Sequence, residues 1–496
     1  MKKLIALMLS IVLCLSFTLS FNAAENEVEI EKIEFNNQDF IKGMDISSLI
    51  SLENSGVRFY DFDKNEADLL KILSQNGVNC VRVRIWNNPF DAEGNGYGGG
   101  NNDINTALKI AKRAAEYNLS VLLDFHYSDF WADPSKQKAP KAWEGLTLSE
   151  KAEAVKSFTE SSLEKVRETG VNIAMVQIGN ETNGGIAGVY TWAEMAEIFK
   201  AGSSAVRSFD KNIKIAVHFT NPEKTDYIKS LADFLDEYKV DYDVFALSYY
   251  PYWHGSLSNL TEVLNYTAAT YDKYVMVAET SYANTLTDSD GHPNTVSSGS
   301  NDSGENLLWD FSVQGQAEEV RAVMNAVNNV ENSKGLGVFY WEGAWISVGD
   351  LSALSGEEYM NKLGDNKLLW EKYGSGWASS YSAEYDPDDA GKWYGGSAVD
   401  NQAFFNSGGE ALPSLRVFSL VDEKDEEVLI GDVNGDKKVN IPDVTLIQKF
   451  LAQLSKIYEK SADVDGDNAV TILDATHIQR YIAKIETELP IGKISS

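Results

Sequence analysis

The sequence predicts a (β/α)8 barrel of the TIM type followed by a small all-α domain built on paired acidic loops. Two observations carry the barrel. Short apolar runs recur eight times between residues 36 and 420, with amphipathic helical stretches between them, and every run ends on polar or aromatic side chains. A third observation carries the second domain: beyond residue 420 one acidic pattern appears twice at a spacing of 31 residues.

In chain order the runs are FIKGMDISSL, VNCVRVRIW, SVLLDFHYSD, IAMVQIGNE, IKIAVHFTN, VFALSYYPYW, YVMVAETSYA and LGVFYWEGAW. Between them, Asp103 to Tyr117 and Ser149 to Arg167 show apolar residues at i, i+3, i+4 spacing, the stripe of a helix packed on a sheet. The rival architecture is an open doubly wound sheet, but no glycine-rich phosphate loop follows the first run. The chain ahead of the first run begins with Lys2 and Lys3, continues as an apolar stretch to Phe21, and then presents Ala23 and Ala24 before Glu25 and Glu27. That layout predicts a cleaved signal peptide over residues 1–24 and hence a secreted protein, with no membrane span in the mature chain. Cys14 lies in the apolar stretch, which leaves Cys80 as the one mature thiol and no internal disulfide.

Charge narrows the function further. Lys and Arg number 43 against 74 Asp and Glu, a formal net charge of −31. Such a surface repels nucleic-acid phosphates and favours neutral ligands or divalent cations. Aromatic residues make up 11% of the chain, including 11 Trp and 23 Tyr, which suits a cleft that stacks on ring-shaped ligands.

In a barrel the C-terminal ends of the strands converge on one face. The residues there are Asp45, Arg84, Trp86, His126, Asp129, Asn180, Glu181, His218, Tyr249, Tyr250, Glu279, Trp341 and Glu342. Glu181 ends the fourth run and Glu279 the seventh, nearly opposite one another across the mouth. Two carboxyl groups flanking one bond are what glycoside hydrolysis needs, and Asn180 is placed to hydrogen-bond a sugar 2-hydroxyl. Either glutamate alone reads more readily as a salt-bridged or capping carboxylate; the pair beside Asn180 reads as catalytic.

The stretches GMDISSLISLENSGVRFYD, VRVRIWNNPFD, GYGGGNND, LDFHYSDFWADPSKQKAPKAW, QIGNETNGG, SYYPYW, AETSYA and FYWEGAW together resemble glycoside hydrolase family 53, the endo-β-1,4-galactanases, over residues 36–420. The resemblance implies a retaining mechanism with Glu181 as acid/base and Glu279 as nucleophile. It also implies hydrolysis of internal β-1,4-galactosidic bonds in the (arabino)galactan side chains of pectin. The nearest alternatives are another endo-β-glycanase of the same barrel clan, such as a mannanase, and a non-catalytic galactan-binding scaffold component. Supporting roles are expected for Arg84, which would keep Glu279 ionised, and for His126, Tyr249 and His218, which would orient the nucleophile or the sugar. Trp86, Trp131, Trp341 and Trp345 are expected to stack on sugar rings, and Asp124 and Asp129 to accept from sugar hydroxyls.

After the seventh run, LTDSDGHPNT sets Asp288, Asp290, His292 and Asn294 at alternating positions, an oxygen-rich pattern suited to Ca2+. The family resemblance implies that Ser397 and Asp400 close this site, and His292 would bind through its carbonyl, imidazole being a poor calcium ligand. No organic cofactor is expected.

An acidic linker is read over 421–428. Beyond it, Asp432, Asn434, Asp436, Asn440 and Asp443 occupy positions 1, 3, 5, 9 and 12 of an EF-hand-type loop, and Asp463, Asp465, Asp467, Thr471 and Asp474 repeat them. Lys438 and Ala469 supply the position-7 carbonyls, so each loop is expected to hold one Ca2+. Each loop runs into a helix whose apolar face is read as Val444, Ile447, Phe450 and Leu454, or Ala475, Ile478, Tyr481 and Ile482. Residues 429–490 resemble a dockerin, which implies attachment to the cohesin domain of a scaffold protein. Two departures stand out: Lys437 and Asn468 replace the glycine favoured at position 6, and Ile441-Pro442 and Ile472-Leu473 place exposed apolar pairs where the best-known modules carry Ser-Thr. The whole chain then reads as a monomeric, extracellular or cell-surface enzyme tethered through a scaffold.

Overall fold

The computed structural model describes residues 27–297, 307–387, 395–422, 428–457, 459–467, 469–485 and 488–495. The signal-peptide segment 1–24 lies outside them, as do 423–427 of the acidic linker and position 468 of the second acidic loop. The chain forms two units that divide between Asp422 and Glu423.

In the first unit, all eight runs are strands: β1 (Ile41–Asp45), β2 (Cys80–Ile85), β3 (Ser120–Phe125), β4 (Ile173–Ile178), β5 (Lys214–Phe219), β6 (Val244–Ser248), β7 (Tyr274–Thr280) and β8 (Gly335–Tyr340). Each pairs in parallel with the next, and β8 returns to β1, so the sheet closes without edges. The covering helices are α1 (Leu69–Gln75), α2 (Ile104–Glu116), α3 (Leu148–Arg167), α4 (Trp192–Phe209), α5 (Thr225–Glu237), α6 (Leu257–Tyr271), α7 (Val313–Asn328) and α8 (Gly356–Tyr373). Their starts follow local chemistry. The Asp103 carboxylate accepts from Thr106 N at the head of α2, and Thr147 with Glu150 forms a reciprocal capping box on α3. The unit begins ahead of residue 36, since Val28 and Ile33 are buried in its core and Ile33 N donates to Val421 O at 2.7 Å.

Strand alternation sorts the side chains into two cores. Val81, Val83 and Ile85 of β2 face the helices, as do Val121, Leu123 and Phe125 of β3. The opposite parity faces the barrel axis, where Cys80, Leu122, Met175, Ala216, Val244, Ala246, Met276, Ala278, Leu336 and Phe339 fill an apolar floor. Above that floor the inward positions turn polar, beginning with Arg82, Asp124, Gln177 and His218, all fully buried. One irregularity matters for chemistry. Leu247 pairs with Val277 but Ser248 pairs with Glu279, so β7 carries one extra residue at its end. That bulge turns Glu279 inward, where simple alternation from Ala278 would send it toward the helices.

In the second unit, α9 (Ile441–Leu451) and α10 (Ile472–Ile482) pack through Val444, Ile447, Ala475 and Ile478, and two short strands, β9 (Val428–Leu429) and β10 (Ile494–Ser495), pair antiparallel to join its ends. The apolar face is narrower than periodicity alone suggests: Leu454 lies past the end of α9 and is 77% exposed, and Tyr481 is also exposed.

Gly43 tests the packing of the floor. A Cβ there would fall 2.2 Å from Cδ1 of the Phe339 ring that spans the interior. Gly43→Ala is therefore expected to destabilise the barrel by about 1–3 kcal/mol, read as a lower urea midpoint at unchanged slope.

Candidate functional site

The C-terminal mouth of the barrel holds a cleft of about 610 Å3 lined by Arg84, His126, Trp131, Asn180, Glu181, Tyr250, Trp253, Glu279, Trp341 and Trp377, among others. Its base is organised by Arg82. This guanidinium, wholly buried, meets Asp45 Oδ2 at 2.9 Å, Asp124 Oδ2 at 2.8 Å and Glu279 Oε1 at 2.8 Å. It also donates to Asn180 Oδ1 at 2.8 Å and Gln177 Oε1 at 3.2 Å. Arg82, and not Arg84, is thus the cation on Glu279. Both side chains face the axis, but Arg84 sits one inward step nearer the mouth, where it pairs with Glu342 Oε1 at 2.5 Å and lies 3.4 Å from Asp45 Oδ1.

Tyr249 is corrected in the same way. Its ring belongs to the core between sheet and helices, and its hydroxyl donates to Gly255 O at 3.2 Å. The next residue faces the cleft, and the Tyr250 hydroxyl donates to Glu279 Oε2 at 3.0 Å. A one-residue step along the chain exchanges the two faces.

His218 reaches Glu181 through one hydroxyl. Its Nδ1 receives Gln177 Nε2 at 3.0 Å and the Glu181 backbone N–H at 3.3 Å, so the proton belongs on Nε2, which donates to Ser248 Oγ at 2.9 Å. Ser248 then donates to Glu181 Oε1 at 2.6 Å, and the same Oγ lies 3.5 Å from Glu279 Oε2. Burial holds His218 well below the usual histidine range, with Arg82 adding to it, so the relay stays neutral. His126 donates from Nε2 to Asp124 Oδ2 at 3.0 Å while Nδ1 accepts from Trp86 Nε1 at 3.1 Å. It therefore orients Arg82 through Asp124 and does not touch Glu279 directly.

Neither expected hydroxyl acceptor faces the cleft. Asp124 is fully buried; burial opposes its charge, yet Arg82 and His126 hold its carboxyl below the usual carboxylate range. Asp129 accepts from the backbone N–H groups of Asn88 at 2.9 Å and Lys141 at 2.7 Å and pins the loop after β3. Trp86 and Trp345 are fully buried and offer no free face to a sugar; the Trp345 indole donates to Ser375 O at 2.9 Å. Trp131 and Trp341 do line the cleft, joined by Trp377 and by Trp253, which is 46% exposed. Trp377 stacks on Trp131 with ring centroids 4.7 Å apart and lies on a loop far past β8, where no strand marks its place.

The two glutamates differ in environment. Burial pushes Glu181 up to about 8, with the Glu279 charge adding to it. Burial raises Glu279 as well, but Arg82 at 2.8 Å works against it. Glu181 also adopts a left-handed backbone, φ +44°, two residues after Gly179 at φ +93°, which is the local strain expected where a side chain must be aimed off a strand end.

A glycosyl hydrolase family 53 model matches residues 41–418. The chain belongs to glycosyl hydrolase family 53. It is 56% identical over 393 residues to an endo-beta-1,4-galactanase of Bacillus subtilis, covering 79% of this chain and 88% of that protein. An arabinogalactan endo-beta-1,4-galactanase of Cellvibrio japonicus is 32% identical, over 63% of this chain and 82% of that one. The solved catalytic domain of the family 53 protein from Ignisphaera aggregans superposes with a TM-score of 0.69 at 38% identity, covering 80% of this chain and all of that one. A dockerin type I model matches residues 430–483, so this family 53 chain also carries a dockerin domain.

Two further clusters bear on metals. Carboxylate oxygens of Asp288, Asp290 and Asp400 lie within 4.8 Å of one another, and Asn294 donates to Asp400 Oδ1 at 2.6 Å while its own Oδ1 is buried without a partner. Burial raises Asp290 well above the usual range, and it raises Asp400 to about 7, with neighbouring carboxylates adding repulsion to both. Clustered acidic oxygens and an orphaned amide oxygen fit a divalent cation. Ser397 touches the cluster through its backbone N–H, at 2.7 Å from Asp290 Oδ2, while its hydroxyl donates to Trp345 O. The His292 imidazole is not among the clustered ligand atoms.

In the dockerin domain, Asp463, Asp465 and Asp467 bring their carboxylates within the same 4.8 Å. The position-12 residues serve both loops alike: Asp443 accepts from Val433 N at 2.8 Å and Asp474 from Val464 N at 2.9 Å. Lys437 at position 6 takes φ +63°, the left-handed conformation that favours glycine there. Among the described residues, no helix is long and apolar enough to cross a membrane.

Replacing Tyr250 by Phe is expected to cut kcat roughly 10-fold or more, the scale of one lost hydrogen bond to a charged group. Tyr249→Phe, which removes only a contact to Gly255 O, should stay within about twofold of wild type.

Proposed function

We propose that this chain is a secreted, retaining endo-β-1,4-galactanase that cleaves the galactan side chains of pectin and is held to a cohesin-bearing scaffold by its dockerin. The observation that carries the mechanism is the asymmetry of the carboxyl pair around Ser248. One hydroxyl reaches both glutamates, at 2.6 and 3.5 Å, which supports the close spacing of a retaining pair, roughly 5–5.5 Å, over the wider spacing of an inverting one. Arg82 and Tyr250 both contact Glu279.

Glu181, kept protonated by burial, gives its proton to the glycosidic oxygen. Glu279 attacks the anomeric carbon from the opposite face and becomes a neutral glycosyl ester as the bond to the leaving oxygen breaks; that oxygen takes the Glu181 proton, so the negative charge ends on Glu181. Glu181, now a carboxylate, takes a proton from water, and the resulting hydroxide displaces Glu279 with net retention. Asn180 has one amide hydrogen on Ala132 O and a second for the sugar 2-hydroxyl. Trp341, Trp131, Trp377 and Trp253 bound the sugar track. Galactan as substrate is supported by the relatives named above.

Asp288, Asp290, Asn294 and Asp400, with carbonyls from His292 and nearby backbone, would hold one calcium ion beside the cleft. Its part is structural, tying the loop after β7 to the long loop after β8, with no disulfide among the described residues to do so. The two dockerin loops would hold one calcium ion each, through Asp432, Asn434, Asp436, Lys438, Asn440 and Asp443 and through Asp463, Asp465, Asp467, Ala469, Thr471 and Asp474.

The deciding assay is reducing-end release from linear β-1,4-galactan beside galactomannan and carboxymethylcellulose. Release from galactan alone, abolished in Glu279→Gln, supports the reading; release chiefly from mannan or glucan would overturn it. kcat/KM should fall on the alkaline side near pH 8, because Glu181 must be protonated to act. In Glu181→Gln, assayed with an aryl galactoside whose departure needs no acid, that alkaline limb should vanish. Chelation with EDTA is expected to lower the unfolding temperature of the barrel unit, and added Ca2+ to restore it; an unchanged melt would remove the barrel ion from the account.

A further inference from the structure

Arg84 is buried, lines the cleft and takes no part in the carboxyl chemistry. Its Nη2 meets Glu342 Oε1 at 2.5 Å and Gly99 O at 3.3 Å, and its Nη1 lies 3.4 Å from Asp45 Oδ1. Nε has no hydrogen-bond partner among the described residues. What surrounds the guanidinium instead is aromatic: it lies 4.6 Å from the Trp131 ring centroid, 5.9 Å from Trp341 and 6.0 Å from Trp86. Glu342 directly follows Trp341, has φ +49°, and accepts from Ser48 Oγ at 2.6 Å through its other oxygen.

We propose that Arg84, clamped by Glu342, is a positioning residue that sets the planes of Trp131 and Trp341 and so governs how tightly the cleft holds sugar rings along that wall. The proposal rests on the carbohydrate-cleaving reading of the cleft. The two indoles come from the loop after β3 and the end of β8, and no hydrogen bond joins their side chains to one another. Arg84, on β2, reaches both. A guanidinium suits this task because its edge meets carboxylates while its faces meet rings, which an ammonium cannot do at once. Glu342 serves twice, since its carboxylate fixes the cation and its backbone carries Trp341. Because Glu279 is held by Arg82 at 2.8 Å while Arg84 contacts Glu342, Gly99 and Asp45, disturbing the clamp should alter binding and leave protonation of Glu181 and Glu279 in place.

The test compares wild type with Arg84→Met, Arg84→Lys, Glu342→Gln and the Arg84→Met/Glu342→Gln double variant on linear β-1,4-galactan. Galactotetraose titrations followed by tryptophan fluorescence run in parallel. Expected are KM and dissociation constants roughly tenfold higher in Arg84→Met and Glu342→Gln, partial recovery in Arg84→Lys, and a double variant no worse than either single one. kcat should stay within about twofold, and the pH limbs should not move. Thermal melts identify any variant that fails to fold, and Arg84→Lys then carries the comparison. Unchanged KM and binding, a drop in kcat with a shifted acidic limb, or additive losses in the double variant would each overturn the proposal. The fluorescence titration reads the wall without turnover, so an enzyme inactive on galactan would count against the proposed substrate alone.

Discussion

One buried cation organises the catalytic floor. Arg82 sits with no exposure among Asp45, Asp124 and Glu279, and each of those carboxylates comes from a different strand. A lone guanidinium in that position would be strongly disfavoured by desolvation, and so would three unpaired carboxylates; together they are tolerated because every charge has an opposite partner within 3 Å. The arrangement therefore couples β1, β2, β3 and β7 through electrostatics rather than apolar contact. It also explains the layering of the interior. The apolar floor excludes water from beneath the cluster, and a drier surrounding strengthens each ion pair above it.

The proposed division of labour between the two glutamates rests on this arrangement. Glu279 shares the Arg82 charge, while no cation pairs with Glu181 among the described residues, its acidic oxygen instead accepting from the Ser248 hydroxyl. Burial acts on both; the guanidinium offsets it for one. Two chemically identical side chains are thereby given different acidities, which is the condition that the proposed acid and nucleophile require. Neutral His218 preserves the difference, since a charged imidazole behind Ser248 would draw the Glu181 proton away.

Much of this was legible in the sequence because its signals are local. Eight apolar runs, the amphipathic stretches Asp103 to Tyr117 and Ser149 to Arg167, and glutamates at the ends of the fourth and seventh runs all declare themselves within a few residues. What was not legible depends on parity and depth. Arg82 and Arg84 share a face, so alternation cannot say which one stands level with Glu279; that requires the stagger between β2 and β7. Tyr249 and Tyr250 have opposite faces, and the strand end gives no cue to which is inward until the register with β7 is known. Trp86 and Trp345 look like stacking platforms by residue type, yet both are consumed in holding other aromatic rings. Trp377 gives no signal at all, because its place in the wall is set by a loop that closes over the mouth from far along the chain.

That last case separates two kinds of functional residue. The proposed reacting groups are placed by strands, whose geometry the sequence pattern encodes, and so their positions can be read within a step or two. Substrate-holding groups sit on loops, and loops need a second agent to fix them. In this protein such fixing is electrostatic throughout: Asp129 gathers the loop after β3, Glu342 and Arg84 brace the end of β8 against Trp131, and the Asp288, Asp290 and Asp400 cluster joins the loop after β7 to the one that carries Trp377. Among the described residues Cys80 is a free thiol, so no disulfide there shares this task with the charged clusters. The same logic recurs in the C-terminal domain, where Asp463, Asp465 and Asp467 bring their carboxylates together beside a small apolar core, the arrangement in which the proposed calcium ions would add most to stability.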